Sequence, residues 1–232
     1  MFQLLLIRHA QSANNFLPES QRVPDPGLTP KGHQQANALA NWLASYRPTQ
    51  LFCSGFRRAL DTTKPIAAML DLQPSVRIDL FEQGGCYSGY QPGKKEPSAG
   101  LGRSQILRDF GDWVIDDRIP EAGWHSGRDL ESQDDAIARS HNVAQWIMED
   151  LLSNRTKDQS CMRPALIIHA DFKALLLESL LSNQLETTNS SRRYQLSAVW
   201  NAAVSQLTWI GSEWQLDFWN SIGHMPSELL TQ

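Results

Sequence analysis

The chain predicts a three-layer α/β/α sandwich built on a mostly parallel central sheet. Three observations carry this expectation. Short apolar runs alternate with amphipathic stretches of helical period, several of those runs are apolar on both faces, and each ends abruptly in polar residues. The chain has 232 residues, 41% of them hydrophobic and 20% charged. That suits one large domain with a real core, or a core domain with an insertion.

Phe2-Gln3-Leu4-Leu5-Leu6-Ile7 reads as a first buried strand. A loop with Pro18, Pro24 and Pro26 follows. Thr29-Pro30 has the form of an N-cap and a first-turn proline, and Ala36, Leu39, Ala40 and Leu43 recur at helical spacing, so residues 30–46 form a helix. Leu51-Phe52-Cys53 predicts a second buried strand. Residues 56–70 follow as a helix in which Pro65 forces a kink or a restart. Alternation over 76–81 predicts a strand. Residues 83–127 change character, with Gly84-Gly85, Pro92-Gly93 and Gly100-Leu101-Gly102, and read as an insertion with one short helix near 103–110. A long amphipathic helix is expected over 128–152, a polar loop over 155–163, and a buried strand at Ala165-Leu166-Ile167-Ile168. A helix over 171–182 has Asp171 as its cap. Strands near 193–199, 203–210 and 213–219 close the chain.

Composition narrows the function. A net charge of -4 disfavours bulk nucleic acid as a partner. Cys53, Cys86 and Cys161 are few, odd in number and far apart, which argues against a disulfide framework and, without any CxxC pair, against zinc. The first apolar run is too short for a signal-peptide core or a membrane span. A soluble cytoplasmic protein is therefore expected, with no membrane partner. The strands near the C-terminus leave a homodimer open.

The chemistry gathers at strand ends. Two buried strands end in histidine, at His9 and His169, and a third is followed by Ser54-Gly55-Phe56-Arg57-Arg58. If these strands are parallel neighbours, their carboxyl ends converge where such sheets bind ligands. Two imidazoles and at least two guanidiniums then share one pocket. Such a cluster calls for an anion, and a phosphate dianion fits planar guanidinium best. Other phosphate chemistries fail on spacing. A Cys-x5-Arg loop from Cys53 needs arginine where Ala59 stands, and a Walker loop ending at Gly93-Lys94 needs glycine where Ser88 stands.

Here the residues match a family. Arg8-His9-Ala10-Gln11-Ser12-Ala13-Asn14 resembles the Arg-His-Gly signature of the histidine phosphatase superfamily, which includes the cofactor-dependent phosphoglycerate mutases. Five further segments agree in order: Leu28-Thr29-Pro30-Lys31-Gly32, Arg58-Ala59-Leu60-Asp61-Thr62, Phe81-Glu82, Ile168-His169-Ala170 and Asn220-Ser221-Ile222-Gly223-His224. The resemblance covers about 1–82 and 128–224, and it implies a phosphoglycerate mutase-like fold. It also implies roles. His9 is the nucleophile. Arg8, Arg58 and His169 hold the phosphoryl oxygens. Glu82 protonates the departing alkoxide and then activates water, so its loss falls hardest on poor leaving groups. Gln11, Ser12, Asn14, Thr29 and Ala170 contact substrate, Thr29 capping its helix first. No metal and no cofactor is required. The Ala-x-x-Thr pattern that follows favours Arg58 over Arg57 as the pocket arginine. His33, His125 and His141 read as surface residues, and His224 as a support of the pocket.

Ala10 and Ala170 replace the glycines usual after each histidine. Alanine disfavours φ > 0, so a left-handed backbone there would strain the pocket; tolerance is expected. Residues 83–127 follow Glu82 directly and read as a lid, with Gly84-Gly85-Cys86-Tyr87 at the pocket edge and Trp124-His125 returning to it. Lys94, Lys95, Arg103 and Arg108 read as solvated charges rather than a second phosphate site. The expected function is metal-independent hydrolysis of a small phosphorylated molecule through a phosphohistidine. A phosphoglycerate mutase-type phosphotransferase is the first rival, disfavoured because 83–127 does not match the mutases' own insertion. A non-catalytic phosphate-binding protein with a degenerate site is the second, and only the two alanines support it.

Overall fold

The computed structural model describes residues 1–89, 93–153, 161–182 and 198–232. Nine strands are present among them: β1 (Phe2–Arg8), β2 (Gln50–Ser54), β3 (Ser75–Arg77), β4 (Tyr87–Ser88), β5 (Glu96–Pro97), β6 (Val114–Ile115), β7 (Pro164–Ile168), β8 (Val204–Ile210) and β9 (Glu213–Ser221). The helices are α1 (Ala13–Phe16), α2 (Pro30–Tyr46), α3 (Arg57–Leu70), α4 (Arg103–Phe110), α5 (Gln133–Trp146) and α6 (Ala170–Ser182).

Seven strands form one sheet in the order β6-β3-β2-β7-β1-β8-β9, and β4 and β5 form a separate hairpin. β6, β3, β2, β7 and β1 run parallel, whereas β8 is antiparallel to β1 and β9 to β8. The central strands explain their own position. Every residue of β7 is buried, and in β1 only Gln3 is not, which requires cover on both faces. That cover is supplied by α2 and α3 on one side and α5 and α6 on the other, each packed in its own apolar cluster. Each large apolar side chain buried this way contributes about 1.5–3 kcal/mol.

Local sequence sets the helix ends. Thr29 caps α2, its Oγ1 accepting the Gly32 N–H at 3.0 Å, and the helix closes at Arg47 in a left-handed backbone, φ 58°. α3 carries Pro65 inside it and runs as one helix over Arg57–Leu70, so of the expected kink or restart the restart is absent. α5 begins later than the 128–152 periodicity suggests, because Ser132 caps it by accepting the Asp135 N–H at 3.1 Å. Its continuation, Ile147–Leu152, widens to a π-helix. β3 is shorter than the expected 76–81 strand, since the Ile78 N–H turns to the Asp116 carboxylate at 3.2 Å.

The 83–127 segment is more than an outgrowth. Its hairpin and α4 lie outside the sheet, but β6 pairs with β3 and forms one sheet edge. Of the three expected C-terminal strands, two are β8 and β9. The third, near 193–199, falls largely on 193–197, outside the described residues.

Gly32 ties α2 to the loop after β1. A Cβ there would lie 2.1 Å from the Gln11 carbonyl oxygen, which is backbone and cannot rotate away. The Gly32→Ala variant should therefore lose about 1–3 kcal/mol, lowering Tm by roughly 2–4 °C for each kcal/mol in a chain of this size. Thermal unfolding followed by circular dichroism measures this.

Candidate active site

The order β2-β7-β1 brings three carboxyl ends together. Arg8 pairs with Ile168 in the β1–β7 ladder, so His9 and His169 leave the sheet side by side, ring centroids 5.1 Å apart. The His9 N–H donates to the Ile168 carbonyl at 2.9 Å. β2 delivers Ser54-Gly55-Phe56 and then the first turn of α3, from which Arg58 reaches back to His9. A cavity of about 170 Å³ opens here, lined by Arg8, His9, Ser12, Arg58, Glu82 and Tyr87 among others.

The tautomer of His9 follows from its partners. Nδ1 lies 2.7 Å from the Ala10 carbonyl, which only accepts, so Nδ1 carries the proton. Nε2 then holds the lone pair and accepts from Arg58 Nε at 3.1 Å. Burial, and then the charges of Arg58 and Arg8, push the His9 pKa well below its ordinary value, which keeps the ring neutral. His169 is fully buried against the Phe56 ring, centroids 4.9 Å apart. Burial and then Arg58 push its pKa well down too, and neither ring nitrogen has a partner among the described residues. Arg8 falls to about 10, burial being the largest cause, and so remains charged near neutrality. Its Nη1 donates to the Val199 carbonyl, and its Nε has no partner among the described residues. An unmet buried donor costs about 1–3 kcal/mol, and an anionic oxygen in the cavity would relieve it.

Among the described residues, Glu82 is the one carboxylate on the cavity wall. It takes over the N-terminus of α6: Oε1 accepts the Phe172 N–H at 2.9 Å and Oε2 the Asp171 N–H at 3.3 Å. Asp171 is therefore not the cap the sequence suggested; it sits in the first turn. Burial first, then the Asp171 charge, raise the Glu82 pKa above its ordinary value, against the lowering effects of the N–H donors and Arg58. Arg139 on α5 holds the approach to Glu82, donating to the carbonyls of Asp79 and Phe81 at 2.9 and 3.0 Å while paired with Glu131 at 2.7 Å.

The remaining expected residues divide. Ser12 and Asn14 line the cavity, but the Asn14 amide bridges both backbone groups of Val23 at 2.7 and 3.0 Å. Gln11 and Thr29 bond each other at 2.7 Å and lie off the cavity wall, as does Ala170, the first residue of α6. Arg57 is bound outward to Asp61 and Asp109 at 3.0 and 2.8 Å, leaving Arg58 as the cavity arginine of the pair. His224 packs on Trp42, its pKa lowered to about 4 by burial, and does not reach the cavity. Arg103 pairs with Asp117 and Arg108 with Asp109, while Lys95 lies over the Tyr87 ring. Ala10 and Ala170 are absent from the residues with positive φ, so alanine strains neither position.

Five cavity residues were not anticipated: Asn15, Arg22, Pro24, Phe56 and Gln83. Asn15 follows Asn14 by one helical step, and its Oδ1 accepts from both the N–H and the hydroxyl of Ser12, at 3.0 and 2.9 Å. His33 and His141 are exposed as expected, but His125 is buried. Its ring packs on Gly85, where a Cβ would lie 2.1 Å from Nε2, so a side chain at 85 is excluded. Among the described residues, no group of three or more His, Cys, Asp or Glu side chains is placed to hold a metal ion. No helix among them is long and apolar enough to cross a membrane.

The chain is 28% identical over 238 residues to the glucosyl-3-phosphoglycerate phosphatase of Mycobacterium tuberculosis, covering 98% of each. It is 40% identical over 78 residues to a PE-PGRS family protein of the same organism, spanning 33% of this chain and 13% of that one. Among solved structures, a protein described as mycobacterial hydrolase 1 superposes with a TM-score of 0.65 at 24% identity, covering 94% of this chain and 98% of the other. A phosphoserine phosphatase from Entamoeba histolytica does so with a TM-score of 0.57 at 19% identity, covering 97% and 100%. These two likenesses establish the fold: a phosphoglycerate mutase-like α/β sandwich. The family described as histidine phosphatase superfamily (branch 1) matches residues 4–222, and the chain belongs to it.

Proposed function

We propose that the chain hydrolyses small phosphomonoesters through a phosphohistidine on His9. The observation that carries this reading is the orientation of His9: Nδ1 bonded to the Ala10 carbonyl, and the Nε2 lone pair turned to Arg58 in a cavity that also holds Arg8 and Glu82. In the first step Nε2 attacks phosphorus, the ester P–O bond breaks, and the Glu82 proton goes to the departing oxygen. In the second step Glu82 takes a proton from water, the new oxygen bonds to phosphorus, and the P–N bond breaks to release inorganic phosphate. Arg8 and Arg58 offset the charge on the phosphoryl oxygens, and His169, fully buried and not among the residues lining the cavity, packs against the His9 ring. Two guanidiniums fill the role a metal ion would otherwise take, so the reaction needs no metal or cofactor. Residues 83–127 act as a lid, Gly85 and Tyr87 closing one side of the cavity.

The compound named for the mycobacterial relative, glucosyl-3-phosphoglycerate, is the first substrate to assay, with p-nitrophenyl phosphate as the generic one. Wild type should release phosphate with a chelator present, and His9→Ala should lose about 10³-fold or more in kcat. Equal rates in the two proteins, or none in either, contradict the reading. Sustained interconversion of phosphoglycerates without net phosphate release would assign a mutase instead.

The pH profile has a defined sign. Attack requires neutral His9, so kcat/KM rises as that ring loses its proton, below the usual histidine range. Proton donation requires neutral Glu82, so kcat/KM falls as that carboxyl ionises, above the usual carboxylate range. Asp171 raises the Glu82 pKa. Asp171→Asn should therefore move the alkaline limb to lower pH and leave the acidic limb in place; an unmoved alkaline limb contradicts the assignment of Glu82 as the acid.

A further inference from the structure

Lys173 is fully buried one turn into α6, its N–H donating to the His169 carbonyl at 2.9 Å. Its Nζ crosses to the segment before β8 and donates to the Ala203 carbonyl at 3.0 Å. That carbonyl also accepts the Arg8 N–H, at 3.1 Å. The same segment supports Arg8, the last residue of β1, and His9 just after it in three further ways. The Val199 carbonyl accepts from the Arg8 guanidinium, the Ala202 N–H donates to the His9 carbonyl at 3.1 Å, and Asn201 Nδ2 approaches that carbonyl at 3.4 Å. Ala202 does this from a left-handed backbone, φ 56°, which costs energy in alanine and persists only when its surroundings hold it.

A buried amine is itself costly, and an apolar chain of similar shape would pack there without that cost. We propose that Lys173 is a positioning residue for the phosphoryl site: its amine pins the 199–203 segment, and that segment fixes Arg8 and His9. Burial first, and then the Arg8 charge, push the amine's pKa well down. The amine can donate to the Ala203 carbonyl in either protonation state. The Trp219 ring, centroid 4.9 Å from Nζ, closes the other side. The proposal rests on the phosphatase reading for what the site does, and its geometry is independent of that reading.

The test compares wild type, Lys173→Met and Lys173→Gln. Unfolding temperature, kcat and KM for p-nitrophenyl phosphate, and calorimetric affinities for orthovanadate and inorganic phosphate are measured. Lys173→Met should unfold at or above the wild-type temperature, yet lose about tenfold in kcat with KM changed by less than about threefold, because misplaced phosphoryl contacts matter most in the transition state. Vanadate, which adopts the five-coordinate geometry of transfer, should bind about tenfold more weakly, and inorganic phosphate should change less. Lys173→Gln keeps an N–H donor on a shorter arm and should recover part of kcat. If Lys173→Met does not fold, the same split is read from Lys173→Gln. Unchanged kcat and vanadate affinity overturn the proposal, as does a loss of kcat that only follows a loss of folded protein. A wild type that turns over no phosphomonoester sinks the phosphatase reading instead, and the vanadate comparison still decides the role of Lys173.

Discussion

The parallel pairing of β1 with β7 sets Arg8 opposite Ile168, and the site depends on that register. It lets His9 and His169 leave the sheet together, with β2 on the far side of β7 delivering Phe56 and Arg58 to the same edge. Side chains alternate along a strand, so a slip of one residue would turn every side chain of β1, Arg8 included, to the other face. The register is protected by burial, because β7 is apolar throughout and β1 nearly so. The core that stabilises the fold and the geometry that brings two imidazoles into contact are thus one constraint.

Holding so much positive charge at one edge needs acceptors behind it. Arg8 is anchored to carbonyls at Val199 and Ala203, and Glu82 places a carboxylate on the cavity wall. The 199–203 segment is where the protein tolerates backbone strain, at Ala202, and where Lys173 is buried to meet it. Glu82 is placed by opposing demands. The first N–H groups of α6 favour its ionised form, whereas burial and Asp171 favour the neutral one, and the latter prevail. A carboxyl pushed toward its neutral form suits the proton donor proposed for it.

What the sequence revealed divides along physical lines. The layers, the mostly parallel sheet and the meeting of His9 with His169 were legible because apolar runs and their polar ends are local signals, whereas Glu82 was implied by the resemblance alone. Arg58 was separable from Arg57 by the pattern that follows it, and the outward ion pairs of Arg57 agree. Residues placed by long-range contacts were not legible. His125 is buried because Gly85 leaves room for its ring, and nothing near 125 signals that. Asn15 and Arg22 reach the cavity through the fold of the 12–24 loop, and one helical step separates Asn15 from the expected Asn14. β6 is two residues long and exists because β3 offers it an edge. Lys173 resembles any polar residue in a helix until the Ala203 carbonyl appears beside it.

The central claim is that the phosphoryl group passes through His9 Nε2, and rapid-quench labelling tests it directly. Enzyme mixed with a phosphorus-labelled substrate is stopped in base within a single turnover, and the labelled peptide is mapped. The account predicts an acid-labile, base-stable phosphoryl group on His9 that forms before inorganic phosphate and decays as phosphate appears. Phosphate released in single turnovers with no labelled protein, or label carried by any other residue, would contradict it.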